Sequence, residues 1–485
     1  MKQPQQLAVQ LAGQLVGYLS HDANERTRFD ISEAYIDLGP SRPVLSLSMV
    51  RPGNEAHTLA LLRDERHRSA HVKAPPFFSN LLPEGALRAR IARQLKVHED
   101  REFLLLAALG HDLPGAIELL PADRLSEQSA PHTDTTAPSA IHGSAASRTH
   151  APYPDHDHAL AASAAPEASA SMLSDQTAKK SGETKSAQAT LTSPTTTTDA
   201  PLSLTMTDDP ALRFSLGGMQ LKFSMLRQGQ RYTLHTAGAL GDYIVKPPSV
   251  DFPALPRVEA AMIATARAVG IEVPEVFLVS ADKIDGLPAL PSYLADEPFY
   301  AIRRFDRHQG ERVHIEDFAQ VFNLRPSQKY NRANHDMIAA TLLRHAGGIK
   351  DLEEMSRRLV LNVLLGNGDA HLKNWSLIYD DPQRPRLAPA YDLVSTVAYS
   401  QQDTTMALNL SGVRAFANIT LDTFARLFTR IGLSDHSQAS LLETVRITAR
   451  QVNDAWQDVF LKTDVPTPLI QRIETHIKAM PLARV

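Results

Sequence analysis

Cysteine is absent from all 485 residues, which excludes disulfides and thiolate metal centres and is compatible with a reducing compartment. No run of about 18 apolar residues appears, so no segment reads as a membrane-spanning helix, and no membrane association is expected. The opening Met1-Lys2-Gln3-Pro4-Gln5-Gln6 lacks the continuous apolar stretch of a signal peptide, and the cytoplasm is the expected location. A basic excess is missing too. The net charge is -4, from 50 Lys and Arg against 54 Asp and Glu. A broad nucleic-acid-binding face is therefore not indicated, and any DNA contact is expected to be local or borrowed from a partner. What the chain does have is 43% apolar residues, over a length that ordinarily divides into about two to four domains.

The pattern of those residues divides the chain. Leu7, Val9 and Leu11 alternate, Ala12-Gly13-Gln14 follows, and Leu15 to Leu19 resumes, which predicts a hairpin in a β-rich first part, residues 1–123. Val44 to Met49 reads as a further strand. Leu87, Ile91 and Leu95 share a helical face, and Glu102 to Leu109 continues with good helix formers up to Gly110. Residues 124–208 are rich in Ser, Thr, Ala and Pro without periodic apolar positions, which predicts a disordered linker separating two folded units. Its histidines, such as His150, His156 and His158, lack a recurring ligand spacing and read as solvated. Residues 209–304 alternate strands (Phe223 to Leu226, Tyr243 to Lys246, Val276 to Val279, Phe299 to Ile302) with one helix striped by Val258, Ala261, Met262, Thr265 and Val269. Residues 305–485 read as mostly helical, with stripes at Leu421, Phe424, Phe428 and Ile431 and at Leu469, Ile473 and Ile477.

One polar stretch breaks the apolar text of Leu359 to Leu365: Asn367-Gly368-Asp369-Ala370-His371-Leu372-Lys373-Asn374. Phosphoryl transfer to a hydroxyl needs a carboxylate that orients the nucleophile and oxygen ligands that hold Mg²⁺ against ATP phosphates. Asp369 and Asn374 are five positions apart, the spacing of base and metal-ligand Asn in the protein-kinase catalytic loop, and Lys373 would offset charge on the transferred group. The same residues could form only a polar turn. A hairpin predicted from Trp375 to Tyr379 and Arg386 to Ala388 then delivers Asp392, placed as a second Mg²⁺ ligand or as a helix N-cap. Upstream, Gly217 and Gly218 would let backbone N-H groups approach phosphate, or simply make a turn. Lys246 ends a strand where kinases bind the α- and β-phosphates, and Glu259 in the next helix could pair with it, although a strand Lys is often only solvated and Glu is favoured near helix N-termini. The order of the parts is that of a kinase: Gly-rich turn, strand Lys, helix Glu, hinge-like Arg303-Arg304-Phe305, then Asp369, Asn374 and Asp392.

These motifs resemble the HipA family of bacterial toxin kinases. Asn367-x-Asp369-x-His371-x-Lys373-Asn374 is similar to its catalytic loop, Tyr391-Asp392 to its metal-binding segment, Ser215-x-x-Gly218-x-Gln220-x-Lys222 to its phosphate loop, and Arg304-Phe305-Asp306-Arg307 to its hinge, with Arg303 where an acidic residue is common. Phe77-Phe78-Ser79-Asn80-Leu81-Leu82-Pro83-Glu84-Gly85 resembles the N-terminal subdomain. The resemblance implies an α+β fold: a protein-kinase-like two-lobed body with a small β-rich N-terminal subdomain and an all-helical C-terminal part. It implies Asp369 as base and Asn374 and Asp392 as Mg²⁺ ligands. ATP contacts would come from Gly217, Gly218, Met219, Gln220, Lys222, Lys246, Arg303, Arg304, Phe305, His371, Lys373 and Tyr391. It further implies autophosphorylation at Ser215, a protein substrate such as an aminoacyl-tRNA synthetase (often the glutamyl enzyme), and a HipB-like helix-turn-helix antitoxin that carries the kinase to DNA. The readings left open beside it are a stand-alone kinase of the same fold and a kinase-shaped corepressor.

Overall fold

A computed structural model of the chain describes residues 5–65, 68–123, 222–234, 240–287, 294–400 and 402–485. The expected linker therefore lies outside the described residues, as do Ser215, Gly217, Gly218, Met219 and Gln220.

The first sheet has the order β4-β3-β2-β1-β5, built from β1 (Gln6–Leu11), β2 (Gln14–His21), β3 (Arg26–Ile31), β4 (Ser69–His71) and β5 (Ile117–Pro121), all antiparallel. Ala12 and Gly13 join β1 to β2 with φ of 48° and 79°, the pair of positive values that a two-residue hairpin needs to match strand twist. Leu7, Val9, Val16 and Leu19 are buried beneath the helices Gly85–Gln94 and Glu102–Leu109. Leu95, expected on the buried face, instead caps its helix and is 40% exposed.

A second sheet, ordered β10-β7-β6-β8-β11-β9, contains β6 (Phe223–Gln228), β7 (Arg231–Leu234), β8 (Tyr243–Lys246), β9 (Val276–Val279), β10 (Ile284–Asp285) and β11 (Phe299–Arg303). The helix Leu255–Ala268 packs on β9 and β11 through the predicted stripe, with Val258, Ala261, Met262 and Thr265 fully buried. Pro247-Pro248 stops β8 directly after Lys246 because proline offers no N-H to a ladder.

Beyond β11 the chain is less helical than expected. The small hairpin β12 (Arg307–His308) and β13 (Glu311–Arg312) is followed by β14 (His314–Asp317), which pairs with β15 (Ser376–Asp381), itself paired with β16 (Arg384–Leu387). The predicted hairpin is thus the core of a three-stranded sheet, and β17 (Thr405–Leu410) with β18 (Val413–Ala415) adds another. The remainder is helical, with Ile349–Leu364 packed on Asp435–Lys462, which also meets Leu255–Ala268. The fold is α+β.

The predicted strand at Val44 to Met49 is not one. Its apolar side chains are buried, but the Ser46 carbonyl accepts from both Met49 N-H and Val50 N-H, closing a turn. Long-range bonds tie Leu47 N-H to Glu316, the Leu45 carbonyl to His314 and Val44 N-H to the Pro382 carbonyl. Residues 5–123 and the described residues from 222 onward belong to one compact unit and share one large hydrophobic cluster.

A buried charge cluster fastens this junction. Asp306 receives Arg304 bidentately at 2.9 and 2.8 Å, and Arg307 at 2.9 Å. Both arginines also reach Asp112 at 3.0 Å, and Gly115 N-H donates to Asp306 at 2.8 Å. Gly115 has φ +74°, and a Cβ there would lie 2.8 Å from the Ile315 nitrogen. Burial opposes the charge on Asp306, yet the two guanidiniums hold its carboxyl down at about 2.

Glu316, on β14, is fully buried and accepts from Leu47 N-H at 2.9 Å and from the Tyr379 hydroxyl, while its Oε2 has no partner. Burial pushes it up from 4.5 to about 7 despite those hydrogen bonds. A raised folded pKa means that this group favours the fold below about pH 4.5, and that the contribution fades as pH rises through about 7. Glu316→Gln is expected to abolish that fade, worth on the order of 3 kcal/mol. Chemical denaturation at pH 5 and pH 8 checks it: parallel pH dependence in parent and variant contradicts the assignment.

Candidate active site

Lys246 sits at the last position of β8, where its register partner on β11 is Tyr300. Its Nζ donates to Glu259 Oε2 at 2.5 Å and to Asp392 Oδ1 at 2.6 Å, with the Tyr300 ring 5.4 Å below. Lys246 and Glu259 are almost fully buried, whereas the Asp392 side chain is 37% exposed and opens outward. Burial disfavours the ammonium, but the two carboxylates overcome it and hold Lys246 protonated above its ordinary range. Burial likewise opposes charge on Asp392, and Lys246 and Lys222 overcome it, keeping the carboxylate ionised. Lys222, just before β6, is drawn down to about 8 by burial and by Lys246, with Asp392 partly restoring it.

Asp392 has φ +55°, a left-handed conformation that a non-glycine residue adopts at a cost. The surrounding bonds hold it there. The Tyr391 hydroxyl donates to the Lys373 carbonyl at 2.8 Å, and Ser395 Oγ donates to the Leu365 carbonyl at 2.6 Å. Thr396 N-H donates to the Gly366 carbonyl and its Oγ1 accepts from Gly368 N-H, both at 2.9 Å. The segment carrying Asp392 is therefore stitched to the loop carrying Asp369.

In that loop Asn367 Oδ1 accepts Asp369 N-H at 3.1 Å, and Asn374 Nδ2 donates to the Asp369 carbonyl at 2.9 Å. The second bond aims the Asn374 amide nitrogen inward, which leaves Oδ1 as an acceptor on its other side. Burial raises the Asp369 carboxyl, helped by the negative charge of Asp392. A 2.8 Å hydrogen bond from the Tyr330 hydroxyl and the charge of Lys329 act against that. His371 is buried, lies edge-on to Tyr330 at 5.0 Å, and has an Nδ1 without a partner. Burial and then Lys329 push its pKa down to about 3, so the ring is neutral.

Three residues named from sequence do other work. The Lys373 ammonium is turned away from Asp369 onto Asn80 O at 2.8 Å and Asp317 Oδ2 at 3.1 Å, so the role beside a transferred phosphoryl group is not the one its geometry gives it. The Arg304 guanidinium is taken up by Asp306, Asp112 and Ser224. Arg303 is exposed and pairs with Glu275 at 3.2 Å. Phe305 is half-buried with its ring 5.6 Å from that of Tyr391. Tyr330, Lys329 and Glu84 were missed: Glu84 stood in a quoted motif without a role, and a Lys-Tyr pair in a loop carries no local signal.

An ATP-bound Mg²⁺ fits these residues. Asn374 Oδ1 and the opened Asp392 carboxylate offer two hard oxygens, and the unpartnered Nδ1 of buried His371 calls for a polar ligand. Among the described residues no group of three His, Asp or Glu forms a self-sufficient metal cage.

Comparison with known proteins bears on this geometry. The model of the HipA-like C-terminal domain matches residues 214–456, and that of the HipA N-terminal domain matches residues 7–120. The chain belongs to the HipA family. A Sinorhizobium fredii protein, Y4dM, whose name proposes it as a kinase, is 36% identical over 485 residues, covering 99% of this chain and 98% of its own length. The serine/threonine-protein kinase toxin HipA of Shewanella oneidensis is 23% identical over 56% of this chain and 63% of its own. The solved Shewanella oneidensis complex of HipA, HipB and operator DNA has the same fold, with a TM-score of 0.62 at 18% identity, over 99% of this chain and 96% of that one.

Because the Tyr330 hydrogen bond favours ionised Asp369, Tyr330→Phe is expected to raise that carboxyl further. The acid limb of a pH-rate profile for ADP release from MgATP then moves to higher pH. An unmoved or lowered limb shows that the contact does not tune Asp369.

Proposed function

We propose that this HipA-family chain is an ATP- and Mg²⁺-dependent serine/threonine protein kinase with a two-lobed, kinase-like body. The observation that carries this reading is the Lys246 ammonium, which joins the helix carboxylate of Glu259 to the hairpin-end carboxylate of Asp392. Kinases use that strand-helix pair to hold the α- and β-phosphates, and the aspartate to hold metal. In this reading Lys246 and Lys222 bind phosphate oxygens, and Gly217, Gly218, Met219 and Gln220 are further proposed ATP contacts. Asn374 and Asp392 would hold Mg²⁺, which would supply positive charge to offset that of the phosphates. His371 offers Nδ1 to the nucleotide side. Asp369 orients the acceptor hydroxyl and takes its proton, a task suited to a carboxylate whose pKa is raised. Phe305 and Tyr391 form an aromatic pair on the hinge side.

The acceptor is a protein hydroxyl. The family suggests an aminoacyl-tRNA synthetase, with glutamyl-tRNA synthetase first, so that phosphorylation would halt translation as a toxin does. A small helix-turn-helix antitoxin is the partner this reading expects, and the Shewanella assembly with HipB and operator DNA supports DNA contact through that partner. Ser215 is the proposed autophosphorylation site. Nearly two added negative charges beside ATP phosphates would repel them.

Asp369→Asn is expected to lower phosphotransfer by about two to four orders of magnitude with nucleotide binding retained. Lys246→Met should lose nucleotide binding itself. Radiolabelled MgATP with cell extract gives the acceptor, and equal labelling by the parent and Asp369→Asn chains would refute the assignment. Mass spectrometry of the chain after incubation with MgATP tests Ser215: phosphate confined to other positions removes it.

A further inference from the structure

The residues around Asp369 include two buried lysines whose counter-charge comes from far away in sequence. Lys329 and Lys373 are 8% and 7% exposed, and each is an ammonium that burial makes costly unless paired. Glu84, in the Phe77 to Gly85 segment of the N-terminal part, faces both. Its Oε2 accepts from Lys329 Nζ at 2.8 Å and its Oε1 lies 3.6 Å from Lys373 Nζ. Asn80, four residues earlier at the C-terminal end of the short helix Pro76–Ser79, takes Lys373 Nζ on its carbonyl at 2.8 Å and on Oδ1 at 3.2 Å, and its Nδ2 donates to the Leu324 carbonyl at 2.8 Å. Asp317 completes the Lys373 site at 3.1 Å. Glu84 is itself held ionised against its burial by these two ammoniums.

Both lysines border the reacting groups. The Lys329 carbonyl accepts Leu372 N-H at 3.3 Å, Lys329 immediately precedes Tyr330, and Lys373 lies between His371 and Asn374. The charge of Lys329 acts on both Asp369 and His371. If the Glu84 carboxylate is neutralised, Lys329 is a buried cation without its ion-pair partner, and its charge already acts on Asp369.

We propose that Glu84 is a positioning residue for the catalytic loop: by holding Lys329 and Lys373, it keeps Lys329 from pairing with Asp369 and fixes the loop from Gly366 to Asn374. The N-terminal part thereby completes the active site, an inference that rests on the kinase reading above for its catalytic consequence but not for its geometry.

Two measurements on the full chain decide it. In Glu84→Gln, hydrogen exchange of residues 366–376 and 324–334 is expected to rise by about tenfold or more while that of β1 to β3 stays as in the parent. Unchanged exchange in those loops overturns the anchoring. In ADP release from MgATP, Glu84→Gln should lose roughly 10- to 100-fold in kcat with the KM for MgATP little changed, and Glu84→Asp should recover part of the rate. Glu84→Gln combined with Lys329→Met, which removes the released cation, should recover part of it as well. A rate loss that neither Glu84→Asp nor the double variant relieves overturns the role assigned to Lys329. If the parent itself releases no ADP and labels no protein, the kinase reading fails, and the exchange measurement still decides whether Glu84 anchors the loop.

Discussion

The arrangement depends on one ammonium held between two carboxylates. Lys246 comes from a strand, Glu259 from the helix that crosses that sheet, and Asp392 from the end of a hairpin that belongs to a different sheet. Lys246 and Glu259 lie on consecutive elements, whereas Asp392 is 146 positions from Lys246, so the ion pairs report that a strand-helix unit and a distant hairpin have met in register. The interior makes the arrangement unforgiving. A Lys246 lacking either partner is a buried charge without compensation, and the cost of breaking such a pair is typically about 3–5 kcal/mol. The strained backbone of Asp392 belongs to the same logic, because the bonds from Tyr391, Ser395 and Thr396 fix its direction before any ligand arrives.

Around that centre the charges divide into two kinds. Lys246 and Lys222 act on Asp392, whose carboxylate is the exposed one of the group, and these three are the charges proposed to take a polyanion and its metal. Lys329, Lys373, Arg304 and Arg307 are turned inward and hold polypeptide to polypeptide. From composition alone these cations are indistinguishable. Their side chains are alike, and only the presence of Glu84, Asn80, Asp112 and Asp306 at the other end separates a ligand-binding cation from a fastening one.

This explains what could and could not be read from sequence. Local signals were faithful where a side chain's environment is set by its own element. The β8 strand ends at the proline pair, the helix Leu255–Ala268 buries the stripe at Val258, Ala261, Met262 and Thr265, and the hairpin from Ser376 to Leu387 leads to Asp392. The spacing of Asp369 and Asn374 likewise survives as a direct hydrogen bond. Errors arose where the partner lies hundreds of residues away. Val44 to Met49 has strand-like composition, but its polar backbone is claimed by Ser46, Glu316 and His314. Lys373 and Arg304 looked available and are taken by Asn80 and Asp112. Glu84 and Tyr330 escaped because neither periodicity nor spacing can report a contact across 245 or 39 positions.

The cluster of Asp112, Arg304, Asp306 and Arg307 also constrains the order of assembly. Its two halves lie about 190 positions apart, so the early segment emerges from synthesis long before the arginines that neutralise it. Asp112 must then wait in a solvated state until the late strands exist. Closing so long a loop costs little more entropy than closing one half its size, since the penalty grows only with the logarithm of length. The stretch between the halves can therefore lengthen or shorten through evolution with small effect on equilibrium stability, while topology of this kind slows the rate at which the native state is reached.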